Sequence, residues 1–101
     1  MTERVWTHGT WTVKPGREDE FVAAWQAMAR HVAAHLGGVH PPTLLRDHDR
    51  TNVFISFGPW PDSDTAARWR ASEDFQIHLA AIRETLERFE PMLLEHVVTK
   101  R

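Results

Sequence analysis

The segment Arg4-Val5-Trp6-Thr7-His8-Gly9-Thr10-Trp11-Thr12-Val13-Lys14-Pro15-Gly16 decides how the chain folds. Residues 4–13 are rich in β-branched and aromatic side chains, and this predicts a first strand. Pro15-Gly16 ends it. Glu18-Asp19-Glu20 then put three acids in a first helical turn, where the helix dipole favours negative charge. Phe21, Trp25, Met28, Val32 and Leu36 follow at steps of three and four residues, one apolar stripe along a helix. Gly37-Gly38 supply a stop, and Pro41-Pro42 prevent the helix from resuming.

Working outward, Thr43 to Arg46 reads as a second strand and Val53 to Phe57 as a third. The polar run Asp47-His48-Asp49-Arg50-Thr51-Asn52 turns one into the other, and Gly58-Pro59-Trp60-Pro61 closes the hairpin. Asp62-Ser63-Asp64 marks a helix start for Thr65 to Ala71. Ser72-Glu73-Asp74 marks another, with Ser63 and Ser72 as capping hydroxyls. Phe75, Leu79, Ile82, Leu86 and Phe89 make a second apolar stripe, broken by Pro91, and Met92 to Val98 reads as a final strand. The order is βαββαβ with the second helix in two pieces. This is the ferredoxin-like α+β arrangement, an antiparallel four-stranded sheet with two helices on one face. The 101 residues are read as a single domain, 1–101, without internal repeats or linkers.

Such a sheet should alternate apolar and polar residues. Instead, Val5, Trp11 and Val13 oppose Trp6 on the first strand, and Val53, Ile55 and Phe57 oppose Phe54 and Trp60 around the third. Met92, Leu94 and Val98 oppose Leu93 and Val97 on the last. Both faces are apolar, and no helices remain to cover the second. A second copy of the same sheet is the economical cover, which predicts a two-fold homodimer packed sheet to sheet.

Composition narrows the chemistry. There is no Cys, so disulfides, thiolate nucleophiles, Cys zinc sites and iron–sulfur clusters are excluded. There is no Tyr to serve as a phenolic acid or base. The formal net charge is −2 and the basic residues are scattered, which argues against a nucleic-acid or anionic-membrane surface. No apolar stretch approaches a membrane span, and Met1-Thr2-Glu3-Arg4 lacks the apolar run of a signal peptide, so a cytoplasmic location is expected. Without a Gly-x-Ser-x-Gly elbow or a phosphate loop, serine hydrolase and nucleotide-dependent chemistry are not expected. Five Trp in so short a chain imply either a heavy core or an aromatic-lined pocket.

Several residues could carry chemistry. Trp60 and Trp69 could stack on a flat aromatic substrate, or cap the core where helix meets sheet. Gly9 could open space for a ligand, with Trp11 as a wall, or mark a bulge. His31 and His35, one helical turn apart, could share a metal ion or lie on a solvated edge. No third ligand is placed by the sequence, and no metal site is expected. His40, His48 and His96 read as surface or strand-edge residues, and Arg46 and Asp47 as possible dimer contacts without a motif. His78 lies at the edge of the second stripe. It reads as a half-packed boundary residue, or as a general base or oxyanion donor able to take a phenolic or anthrone proton near neutrality.

The whole chain, in element order and size, resembles the antibiotic biosynthesis monooxygenase family of dimeric α+β barrels. Two segments carry the resemblance: Val13-Lys14-Pro15-Gly16-Arg17-Glu18-Asp19-Glu20-Phe21, and Trp60-Pro61-Asp62 with Trp69-Arg70-Ala71-Ser72-Glu73-Asp74-Phe75-Gln76-Ile77-His78. The resemblance implies a homodimer with one pocket per subunit between sheet and helices. It also implies a cofactor-independent monooxygenase acting on an electron-rich aromatic such as a phenol, quinol or anthrone. His78 and Trp69 would be catalytic, and Gly9, Trp11 and Trp60 would bind the small aromatic ligand. A non-catalytic small-molecule-binding dimer of the same fold is the alternative. The haem-degrading branch is a second alternative. Its Trp matches Trp69, its strand Asn falls on Gly9, and its haem-ligating His falls on Leu79 with His78 one residue early. One residue is about 100° around a helix, so this reading ranks last.

Overall fold

A computed structural model describes residues 5–36 and 41–98. The helix stop at Gly37-Gly38, and also Arg4 and His40, lie outside the described residues. The order is β1 (Val5–Val13), α1 (Glu18–His35), β2 (Thr43–Arg46), β3 (Val53–Trp60), α2 (Ser63–Ala71), α3 (Glu73–Arg83) and β4 (Leu86–Glu95). The strands form one antiparallel sheet in the order β2-β3-β1-β4, the ferredoxin-like α+β fold read from the pattern.

The first junction follows its sequence closely. Gly16 turns the chain at φ +91°, a conformation that a Cβ would strain, and its N–H donates to the Glu18 carboxylate at 2.8 Å. Arg17 and Lys14 both donate to the carbonyl of Glu84 just beyond α3, at 2.9 and 3.1 Å. The start of α1 is thereby tied to the end of α3. The α1 stripe buries Phe21, Trp25 and Val32 against the sheet. Phe21, Val13 and Ile82 are fully buried, each contributing about 1.5–3 kcal/mol of apolar transfer.

Two boundaries differ from the sequence reading in ways that shape the site, while β4 ends at Glu95 rather than Val98 and α2 begins at Ser63 rather than Thr65. β3 runs on through Gly58 and Pro59 to Trp60. β2 has ended by then, its Thr43 pairing with Phe57, so Pro59 meets only β1 and its missing N–H costs the ladder nothing on the open side. The other difference lies at the last helix, which stops at Arg83, where the Thr85 hydroxyl donates to the Ile82 carbonyl at 2.6 Å. Leu86 and Phe89 therefore belong to β4, and Pro91 sits within that edge strand, where Pro is tolerated. A register shift explains why the pair resembles a helical stripe. Val13 faces Leu86 and Trp11 faces Phe89, so two steps on β1 match three on β4. The bulge lets residues three apart share one face.

Register assigns the two faces. Trp11, Phe54 and Phe89 look toward the helices; Trp6, Phe57, Met92 and Leu94 look away. Among the described residues nothing covers the outward face, and Met92 is 51% exposed there. His8 lies at its centre, with a buried Nδ1 that has no hydrogen-bond partner among the described residues.

Candidate functional site

The helix-facing side of the sheet carries a hollow of about 90 Å³. Thr7, Gly9 and Trp11 of β1 and Ser56 and Trp60 of β3 form its floor, with Phe89 beside them. Trp25, Met28 and Val32 of α1 roof one side; Trp69 and Arg70 of α2 and Phe75 of α3 close the other. The site lies where two apolar clusters meet. One holds Trp11, Phe21, Trp25 and Phe54; the other holds Val5, Val32, Trp60 and Trp69. Met28 and Phe75 pack against both. Four of the five tryptophans, all but Trp6, are thus core residues and pocket walls at once, so the two readings of the Trp count are not exclusive.

Placement of each wall has a local cause. Trp69 is carried by α2, whose first turn is capped by Asp62. The Thr65 N–H donates to the Asp62 carboxylate at 2.7 Å and holds it below the usual carboxylate range. Ser72 ends α2 and caps α3, accepting from the Phe75 N–H at 3.1 Å, which aims Phe75 back at Trp69; their ring centroids are 5.4 Å apart, edge to face. The Trp11 and Phe89 rings stack with centroids 3.9 Å apart.

The floor is polar at two points. The Trp11 indole N–H donates to the Ser56 hydroxyl at 2.9 Å, and the Trp60 indole N–H donates to the Thr7 hydroxyl at 2.9 Å. Gly9 makes room for the first of these. A Cβ there would stand 3.0 Å from Phe89 Cε1 and 3.1 Å from both Ser56 Oγ and Trp11 Nε1. The space expected for a ligand at Gly9 is taken up by this bond and by Phe89. Sequence reading missed Ser56, Thr7 and Phe89. The first two depend on strand register, the last on the bulge.

Four of the five expected residues, Gly9, Trp11, Trp60 and Trp69, converge on the hollow, and His78 does not. Its ring lies 5.1 Å from that of His31, on the seam between α1 and α3. His31 in turn stacks on Trp69 at 5.9 Å and on His35 at 4.2 Å, and its Nε2 is 3.2 Å from Asp74 Oδ2. The His35 ring reaches the His31 carbonyl at 3.0 Å. His31, His35 and His78 form a layer behind Trp69 and have no place in the pocket lining, which among the described histidines takes in His8. Among the described residues no group of three or more His, Asp or Glu is arranged to hold a metal ion.

Haem does not fit these residues. The hollow is far too small for a porphyrin, and Leu79, at the ligand position of the haem-degrading pattern, is buried in the core. Beyond the mouth, a more open groove of about 580 Å³ runs between α3 and β4, where Arg70, Arg83 and Arg88 gather with one acid, Glu87. Arg70 lines both spaces. No described helix is long and apolar enough to cross a membrane.

The family profile of antibiotic biosynthesis monooxygenases matches residues 5–81. The comparison with curated proteins returns no match. Among solved structures, the chain is similar to SnoaB, a cofactor-independent oxygenase from Streptomyces nogalater, with 28% identity, a TM-score of 0.85 and 96% of each chain covered. It shares its fold with a protein from Caulobacter crescentus assigned as an antibiotic biosynthesis monooxygenase (19% identity, TM-score 0.86, 96% of this chain and 92% of that chain covered). The same holds for one from Bordetella bronchiseptica (23% identity, TM-score 0.80, coverage 95% and 99%).

Proposed function

Because the chain belongs to the antibiotic biosynthesis monooxygenase family, we propose that it is a cofactor-independent monooxygenase of an electron-rich aromatic: a phenol, quinol or anthrone. The aromatic hollow carries this reading, four tryptophans and three phenylalanines around a space open at one side. Flat rings gain both apolar burial and offset or edge contacts in such surroundings. The similarity to an oxygenase that works without a cofactor supports the same reaction class.

The chemistry would belong to the substrate. An ionised phenol or anthrone reduces dioxygen, the resulting peroxide forms at a ring carbon, and loss of water leaves a carbonyl there. One oxygen atom stays in the product and the other leaves as water, so no outside reductant is needed. The protein binds the ring, excludes bulk water and favours the ionised substrate. Arg70, which lines both the hollow and the groove beyond it, suits the last task, since a nearby positive charge lowers the pKa of an acidic group. His78 lies behind Trp69, off the substrate's edge, and supports the wall through His31. The proton leaves by the mouth.

The active form is a homodimer, the outward sheet face of each subunit covering that of the other. The exposed Met92, Leu94 and Leu45, beside the half-buried Trp6 and Phe57, make this face too apolar to stand in water. The size of the hollow limits the substrate. About 90 Å³ is less than the ~150 Å³ cavity that holds benzene, so a ring enters as Phe75 or Phe89 swings aside, and further rings project through the mouth.

A binding-only dimer of the same fold is the second reading, favoured by the distance of His78 from the hollow. Oxygen uptake with a reduced naphthoquinol and excess chelator separates the two. Uptake above the quinol's own autoxidation supports the oxygenase. Binding without uptake supports the alternative.

A further inference from the structure

The register joins two pentapeptides that share an order too short to read as a repeat in the sequence alone. Thr7-His8-Gly9-Thr10-Trp11 on β1 and Ser56-Phe57-Gly58-Pro59-Trp60 on β3 both run hydroxyl, any, Gly, any, Trp. In the antiparallel ladder Thr7 faces Gly58, His8 faces Phe57 and Gly9 faces Ser56. The segments are therefore related by a local two-fold axis through the His8–Phe57 pair. The hydrogen bonds obey it: Trp11 of β1 donates to Ser56 of β3, and Trp60 of β3 donates to Thr7 of β1, each at 2.9 Å.

An indole N–H can only donate, so each hydroxyl is used as an acceptor and keeps its own proton. Among the described residues neither hydroxyl is given an acceptor for that proton. The indoles also fix the hydroxyl oxygens, so that little order is lost when a ligand binds. Both hydroxyls line the hollow, as diagonal neighbours about 7–8 Å apart at Cα. What fills each glycine position differs: the Phe89 ring lies over Gly9, and Pro42 lies 3.1 Å from where a Cβ of Gly58 would stand. The donors are paired and their surroundings are not, so a ligand is met by two equivalent donors but enters in one orientation.

We infer that Thr7 and Ser56 are the specificity residues of the hollow, each donating a hydrogen bond to one of two oxygens on opposite edges of a bound ring. The ligand class is a 1,4-diol or the corresponding 1,4-dione. This rests on the reading that the hollow takes an aromatic ligand, and it does not depend on turnover.

The test is equilibrium binding, followed by tryptophan fluorescence, of 1,4-naphthoquinone, 1-naphthol and naphthalene to the full chain. With no Cys present, the quinone has no thiol to arylate. Affinity is expected to rise about two- to tenfold with each oxygen. Ser56→Ala and Thr7→Val should each remove one step, and the double variant both, the quinone losing affinity by that factor relative to naphthalene. Equal affinity of the unaltered chain for the three compounds would overturn the inference. So would a parallel loss of naphthalene binding in the variants, which marks a purely structural role. If none of the three binds, the aromatic-pocket reading fails as well. A graded series without oxygen uptake upholds the paired donors and sinks the oxygenase.

Discussion

The Trp11 indole lies flat on the Phe89 ring, with centroids 3.9 Å apart and planes 11° from parallel. This pair closes the β1–β4 side of the hollow, and it exists because a bulge turns Leu86 and Phe89 to the same face. Phe89→Leu keeps most of the apolar volume and removes the stack. It should lower stability by about 0.5–1.5 kcal/mol. Phe89→Ala should cost more, near the lower end of about 3–5 kcal/mol because the ring is only half buried. Urea midpoints at constant slope would show both.

Gly9→Ala tests the closeness of the floor. Its Cβ would press on Phe89, Ser56 and Trp11 together, three groups that hold one another in place. A loss of about 1–3 kcal/mol is expected from overpacking. Ligand affinity should fall with it, because the Trp11–Ser56 bond is displaced. An unchanged melting temperature would show that the neighbours yield freely.

The β2–β3 turn should be acid-sensitive. The Asp47 carboxylate accepts from the backbone N–H groups of Arg50 and Asp49, and from the Arg50 guanidinium, and its pKa is lowered to about 2. A carboxyl with a folded pKa below its unfolded value of about 3.9 stabilises the fold above that value. The contribution fades as the pH falls from about 4 to about 2. Asp47→Ala should lower the melting temperature at pH 7, and the gap between variant and unaltered chain should close across that window. A gap that persists at pH 2 would contradict it.

Arg70→Gln should move the pH profile of turnover. With the positive charge gone from the lining, the substrate ionises less readily, and the rise of kcat/KM with pH should shift upward by up to about one unit. An unshifted profile would show that Arg70 does not face the ionising group.

The sheet face gives a separate prediction. Leu94→Lys puts a charge on the outward side of β4, where Leu94 is 40% exposed. Light scattering at micromolar concentration should show two chains for the unaltered protein and one for the variant, with far-ultraviolet circular dichroism unchanged. A single chain for the unaltered protein would sink the sheet-to-sheet pairing.

What could be read from the sequence follows from the range of the interactions. The strand through Trp11, the α1 stripe and the cap at Ser72 are local patterns and stand as read, whereas α2 is capped by Asp62 and not by Ser63. The apolar stripe runs past the end of α3 because Leu86 and Phe89 sit three residues apart, a helical spacing that the bulge also produces. Gly58-Pro59 looks like the end of β3, since nothing local says that β2 has already ended there. The Trp walls could be picked out by residue type. The hydroxyls that hold them could not, because each bond joins residues 45 or 53 positions apart through a diagonal set by register. His78 stands out in the sequence by its chemistry, but its direction depends on how α3 packs against α1.

The most direct measurement is turnover of an anaerobically reduced naphthoquinol under isotopically heavy dioxygen, with excess chelator and Trp69→Phe as the comparison. One heavy oxygen atom in the product and one in water, at a rate above autoxidation that falls in Trp69→Phe, is the predicted result. Product free of heavy oxygen, or a rate equal to autoxidation for the unaltered chain, would contradict it.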